Sequence, residues 1–489
     1  MTQQPTHSRD ADHLAALGYK ANFDRSMSLG ENFALGFTYL SPVVGVYSVF
    51  AFGMMAGGPP MIWAYLIAGL GQLMVALVFG EIVSQYPIAG GVYPWARRLV
   101  GRKWAWMVGW VYAWALISTI SAVAVGAGPF LASLLGFEIS AITTTTIALS
   151  LVAVATGLNL LGTKLLAKVA MFGFICEIAG AVVVGAYLLV TERHQPLSVI
   201  FEIPEALSGA PYLTAFLAAS LVGLFSCYGF EACADVAEET PNPSREIPKS
   251  MRWTIYVGVG SSAFVCLALI LAVPDITKVI SGEIADPIGL ILSDAFGPVG
   301  SKLVIVVVMI SFISCVLSLQ AAVSRLLFAY ARDEMIVGSS ALSKLSKSSH
   351  VPHNALLLAG ALSAAIICLG FFVKEALTTI ISFAVIGIYI AFQMLVAAAL
   401  YARLRGWTPS GVFKLGKWGL PVTIVAQVYG VLAIINLAWP WTPDVEWYVA
   451  YTTALAAGGI ICLGLLYIGL FKPYLASTAP YGDASLSTN

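Results

Sequence analysis

The chain has 489 residues, of which 59% are hydrophobic and 10% charged, and its mean hydropathy is +0.88. Soluble domains carry about 25% charged residues, so an ordinary water-facing globule is excluded and a multi-pass membrane protein is expected, with the lipid bilayer as its main surroundings. Basic and acidic residues number 25 each, for a formal net charge of zero; no overall field argues for a nucleic-acid partner or an acidic substrate.

Residues 1–30 are polar and mix acids with bases. They lack the charged start and apolar centre of a signal peptide, and read as a disordered cytoplasmic tail. Apolar stretches of membrane-crossing length then follow at 32–56, 60–86, 104–134, 141–162, 166–190, 211–236, 252–273, 300–330, 354–373, 375–403, 419–440 and 446–471, which predicts twelve helices in an all-α integral membrane fold. An even number places both ends of the chain on one side. Arg97, Arg98, Arg102, Lys103, Arg245, Lys249, Arg332, Arg403 and Arg405 fall in or beside alternate loops, whereas the opposite loops hold only Arg193, Lys278, Lys302 and Lys374. The excess of basic residues in cytoplasmic loops makes both termini cytoplasmic, in a plasma or inner membrane. Trp439, Trp441 and Trp447 flank an outer turn, and Trp104 and Trp106 open the third helix; both groups suit an interfacial aromatic belt. Residues 472–489 form a second cytoplasmic tail.

Signals for enzyme chemistry are weak. Gly411 to Lys417 has the spacing of a phosphate-binding loop, but Trp418 stands where Ser or Thr is needed, and a short loop between membrane helices leaves no room for the strand and helix. His350 and His353 flank Pro352 with no acid or thiol adjacent, and all seven cysteines lie within apolar spans at no metal-ligand spacing. No metal, cofactor or enzymatic activity is expected.

Two helices are interrupted. The first reads LGFTYLSPVVGVYSVFAFG, with Pro42 and Gly45 inside it, and the sixth reads FLAASLVGLFSCYGFEACADVAEE, broken around Tyr228 and Gly229. Proline removes a backbone donor, and glycine frees the turn. Taken singly, each is as well read as a packing kink. Non-helical backbone at membrane depth survives only when buried in protein or lining a wet cavity, so the two breaks are expected to face one cavity. Breaks in helices one and six also suggest two five-helix halves of opposite orientation. The expected organisation is a ten-helix inverted-repeat core over 31–405, with helices eleven and twelve (406–471) added at its periphery.

GEIVSQYPIAGGVYPWARRLVG (80–101), YGFEACADVAEETPNPSREIPKSM (228–251) and SRLLFAYARDEMI (324–336) resemble the amino acid-polyamine-organocation superfamily of permeases, particularly its amino acid/choline transporter branch; AGGPPMIWAY and GVFKLGKWGLP look like that branch too. The likeness runs through helices one to ten. It implies a binding site at the unwound parts of helices one and six, here Ser41, Val43, Val44 and Gly45 with Ser226, Cys227, Tyr228 and Gly229, and an aromatic gate at Phe225. Glu231 would sit just past the second break, shielded from lipid. Two departures matter. Where many relatives have Gly-x-Gly on helix one, this chain has Val43-Val44-Gly45, so α-amino acids, ω-amino acids such as γ-aminobutyrate, and amines such as choline, ethanolamine or polyamines all stay open. Glu177 stands on helix five where several proton-coupled relatives have lysine. A mid-membrane carboxylate costs about 2.5–3.5 kcal/mol on insertion scales, so it should face a cavity, pair, or take up a proton; a neutral structural hydrogen bond is the competing reading. Glu81 is expected to be structural, reaching the basic loop after helix two. The expectation is a secondary transporter for an amino acid or related amine, coupled to protons through Glu177 and Glu231. A substrate exchanger and a permease-like sensor are the alternatives.

Overall fold

The computed structural model describes residues 6–208, 211–372, 376–441, 445–477, 479–482 and 484; Lys374 and the extreme ends of both expected tails lie outside them. Among these residues the regular structure is helical throughout. Eleven helices are long and apolar enough to cross a membrane, and the number reaches the expected twelve when the bent segment that includes Tyr212–Ser226 is counted as a span. In chain order, α1 (Thr6–Ala16) precedes a first span made of α2 (Leu29–Leu40) and α3 (Pro42–Gly57). The following spans are α4 (Ile62–Gln85), then, after the short α5 (Val92–Leu99), α6 (Arg102–Gly126) continued by α7 (Gly128–Leu135), and then α8 (Ala141–Leu160) and α9 (Thr163–Thr191). The sixth is divided into α10 (Tyr212–Ala219), α11 (Leu221–Ser226) and α12 (Ala232–Asp235). Next come α13 (Pro243–Ala272), the short α14 (Ile276–Ile280), and α15 (Pro287–Arg332), which bends at Gly297. Short α16 (Ser339–Leu342) leads to α17 (His353–Gly370), α18 (Ala376–Leu404) and α19 (Gly419–Ala438); α20 (Trp447–Ala450), α21 (Thr452–Phe471) and α22 (Pro473–Ala476) close the chain.

The core sits where α2, α3, α4, α6, α11, α13, α15 and α18 meet; most of its side chains are apolar, as helices surrounded by other helices require, with polar ones such as Asn32, Gln72 and Gln320 buried among them. α8, α9, α19 and α21 leave long aliphatic faces exposed, such as Val182, Val183 and Val190 on α9 and Leu463, Leu466 and Leu470 on α21. Those faces suit hydrocarbon rather than water.

The structure corrects three local expectations. Residues 6–28 are not a disordered tail. Leu14, Tyr19, Phe23 and Met27 are buried, Phe23 meets Phe328 edge-on at 5.2 Å, and Asp10 accepts a hydrogen bond from the Asn242 amide at 2.7 Å. Four well-spaced apolar side chains give this polar stretch an inner edge. Trp106 is no interfacial residue: it is fully buried, donates to the Met335 carbonyl at 2.9 Å, and stacks between Trp110 and Tyr467. Only Trp104 is partly exposed. Glu81 pairs not with the loop after α4 but with Arg403 at the end of α18, and it accepts the Leu415 N–H at 2.6 Å.

Candidate functional site

The first break is set by one residue. Ser41 adopts φ 43° and ψ 88°, so α2 ends there and Pro42 starts α3 with the φ a first helical turn needs and no N–H to leave unpaired. The orphan donors of α3 point into the protein. Val43 N–H donates to Glu177 Oε1 at 2.9 Å, the Ser41 hydroxyl donates to the same oxygen at 2.8 Å, and Val44 N–H approaches Ser41 Oγ at 3.4 Å. Glu177, fully buried on α9, therefore caps the positive end of a half-helix. Its other oxygen, Oε2, has no hydrogen-bond partner.

The second break runs from Cys227 to Glu231. Gly229 has φ +116°, a conformation that favours glycine, and its N–H donates to Glu231 Oε2 at 2.9 Å. The two breaks interlock: a Cβ on Gly229 would lie 2.7 Å from the Leu40 nitrogen, and one on Gly45 would lie 2.7 Å from Ser226 Oγ. Phe225 packs edge-on to Tyr228, and Tyr228 to Tyr39 on α2. Ser41, Val43, Val44, Gly45, Phe225, Ser226, Cys227, Tyr228, Gly229, Glu177 and Glu231 are thus gathered in one buried region. The amides of Val43 and Val44, however, are engaged by Glu177 and Ser41 rather than open.

The two ends of the molecule differ. At one end a depression of about 940 Å³ is lined by Phe52 and Ala56 of α3, Thr214 and Ala218 of α10, Leu221 of α11, Ser382 of α18 and Asn436 of α19. It reaches to one helical turn from Phe225. The other end is sealed by buried ion pairs: Arg97 with Asp333, Arg325 with Glu239 at 2.8 Å, and Arg332 with Glu238 at 2.9 Å. Tyr19 from the N-terminal segment donates to Asp333 at 3.0 Å and stacks under Arg332, and Arg98 reaches the Leu17 carbonyl. The sequence reading passed over Asp235 and Tyr112, which adjoin Glu231; two acids one turn apart in an apolar helix were the available signal.

A sheltered pair of broken helices is a transporter's feature. Comparison with known families decides which: the profile described as amino acid permease matches residues 32–465. The chain belongs to the amino acid permease family. This permease is 27% identical over 487 residues to the amino-acid permease BAT1 of Arabidopsis thaliana, with 93% of each chain covered. It is 26% identical over 483 residues to the BAT1 homolog of Oryza sativa subsp. japonica, covering 92% of each. A Macrophomina phaseolina protein named as an amino acid/polyamine transporter is 26% identical over 433 residues, covering 86% of this chain and 95% of its own. The permease is accordingly a multi-pass membrane transporter of amino acids and not an enzyme.

Proposed function

We propose that this permease takes up an amino acid or related amine by proton-coupled secondary transport, with a five-plus-five inverted-repeat core, the sealed basic end in the cytoplasm and the open depression outside. Substrate is held between the breaks by Ser41, Val43, Val44 and Gly45 on one side and Ser226, Cys227, Tyr228 and Gly229 on the other, beneath Phe225. The observation that carries the reading is the engagement of Glu177 with Val43 N–H and Ser41 Oγ. A substrate carboxylate would need the same donors. Protonation of Glu177 weakens its claim on them, since a neutral carboxyl is a poorer acceptor than a carboxylate; substrate and proton then favour one another's binding, and linkage makes the effect reciprocal. For an amine without a carboxylate, the ionised Glu177 is instead the counter-charge. Glu231, holding the Gly229 N–H, is the second proton group.

Reconstituted protein tests this directly. An inward proton gradient should drive concentrative uptake of one or more candidates from a panel of α-amino acids, ω-amino acids and amines. Uptake that needs internal substrate and ignores the gradient would identify an exchanger. Failure of both drives across the panel would remove the transport reading.

A further inference from the structure

Four acidic residues stand close together after the second break, and they are not equivalent. Glu238 and Glu239 are each neutralised by an arginine, Arg332 and Arg325. Glu231 and Asp235 are fully buried, and neither has an ion-pair partner among the described residues. Burying two uncompensated carboxylates side by side is a cost that proteins usually avoid by protonating one of them.

The hydrogen-bond geometry says which one. The Tyr112 hydroxyl, from α6, lies 3.3 Å from Glu231 Oε1 and 3.3 Å from Asp235 Oδ2. A phenol has one hydrogen to donate. If both contacts are hydrogen bonds, one carboxyl must supply the second hydrogen to the phenolic oxygen. Glu231 already accepts the Gly229 N–H at 2.9 Å, which favours its anion. Asp235 accepts no backbone N–H among the described residues, and its Oδ1 has no hydrogen-bond partner among them. The buried Tyr39 hydroxyl also faces the pair and is directed at the Glu231 carboxyl. Near Asp235 also stand the Cys233 thiol and Arg325 on α15, whose guanidinium is committed to Glu239 and Ser324. Beside Glu231 stand Tyr228 and the Cys233 thiol. On the remaining side Gly91 leaves room for the carboxyl: a Cβ there would lie 2.5 Å from Asp235 Oδ1.

We infer that Asp235 is a proton-carrying residue of this permease and that Tyr112 bridges it to Glu231 at the second break. In the transfer, Asp235 gives its proton to the Tyr112 oxygen while the phenol's own proton passes to Glu231 Oε1. A neutral Asp235 and ionised Glu231 become an ionised Asp235 and neutral Glu231, with no other reactant. The pair lies between the break and the arginine-sealed end, so it joins the substrate region to the side from which a proton is released. That purpose rests on the proton-coupled reading above, whereas the protonation of Asp235 does not.

Infrared spectroscopy of the full chain in liposomes at neutral pH tests the assignment without any substrate. In a Glu177→Gln background, which leaves Glu231 and Asp235 as the buried carboxyls without an ion-pair partner among the described residues, a protonated-carboxyl C=O band should be present and, with Glu231 ionised, should vanish on adding Asp235→Asn. Adding Tyr112→Phe instead, a change that keeps the ring, should move the band to higher frequency, because the carboxyl loses its acceptor. Absence of the band, its survival in Asp235→Asn, or its indifference to Tyr112→Phe overturns the inference. If Asp235→Asn does not fold, the Tyr112→Phe shift decides alone. Loss of gradient-driven uptake has no bearing on the band, so a failure of the coupling reading is separable from a failure of this one.

Discussion

At the scale of single residues, Glu177 and Gly229 carry opposite kinds of constraint. Glu177 is chemical: one oxygen holds two donors at the first break and the other holds none. Glu177→Gln should fix a neutral side chain there, leaving substrate binding and exchange within a few-fold of wild type while abolishing accumulation driven by a proton gradient. If the carboxylate is a counter-charge for an amine, binding itself should weaken, most for substrates without a carboxylate. Wild-type values in both binding and gradient-driven uptake would leave only a structural hydrogen bond. Gly229 is steric. A β-branched residue at φ +116° is strained by about 1–3 kcal/mol and meets the Leu40 backbone, so Gly229→Val should weaken binding about tenfold or more. Equilibrium binding on protein that inserts and purifies at normal yield is the check, and unchanged affinity would take Gly229 out of the site.

Among elements, the membrane helices were legible because hydropathy reports burial in lipid and in protein alike, and the breaks because proline and glycine carry a backbone meaning of their own. The expected first and sixth segments therefore match α2–α3 and α10–α12. What the sequence concealed were contacts between distant polar residues. Nothing in residues 6–28 announces that Tyr19 meets Asp333, or that Arg97 pairs with that aspartate instead of lying in solvent as an orienting charge. Trp106 likewise reads as a belt residue by position alone, and only its neighbours Trp110 and Tyr467 place it inside. The Arg97–Asp333 pair has almost no exposed side-chain surface, whereas Lys278 and Glu283 are 51% and 66% exposed. Breaking a buried pair leaves a charge uncompensated and costs about 3–5 kcal/mol, against about 0–1 kcal/mol for an exposed one. Asp333→Asn should therefore lower the thermal unfolding midpoint of the purified protein clearly, and Glu283→Gln should not. Equal midpoints for the two variants would mean that the seal at this end contributes little to stability.

The whole molecule is asymmetric from end to end, and the asymmetry is what the proposed orientation rests on. The N-terminal segment, the loops carrying Arg97, Glu238, Asp333 and His350, and the final segment around Ala479 all meet at one end: Asp24 lies 3.7 Å from His350, Arg102 donates to the Ala479 carbonyl at 2.9 Å, and Arg25 donates to the Thr240 carbonyl at 3.0 Å. Both ends of the described chain are thus on one face, as an even number of crossings requires. That face also gathers the arginines and lysines expected to stay on the cytoplasmic side. Which face is cytoplasmic depends on that charge bias, and one labelling experiment decides it. Arg245 is exposed at this end, next to Ser244, whose hydroxyl is 3.5 Å from the His13 ring. With the exposed Cys368 and Cys462 replaced, Arg245→Cys should resist a membrane-impermeant maleimide in intact cells and react after permeabilisation. Labelling of intact cells to the permeabilised level would invert the molecule and place the 940 Å³ depression in the cytoplasm.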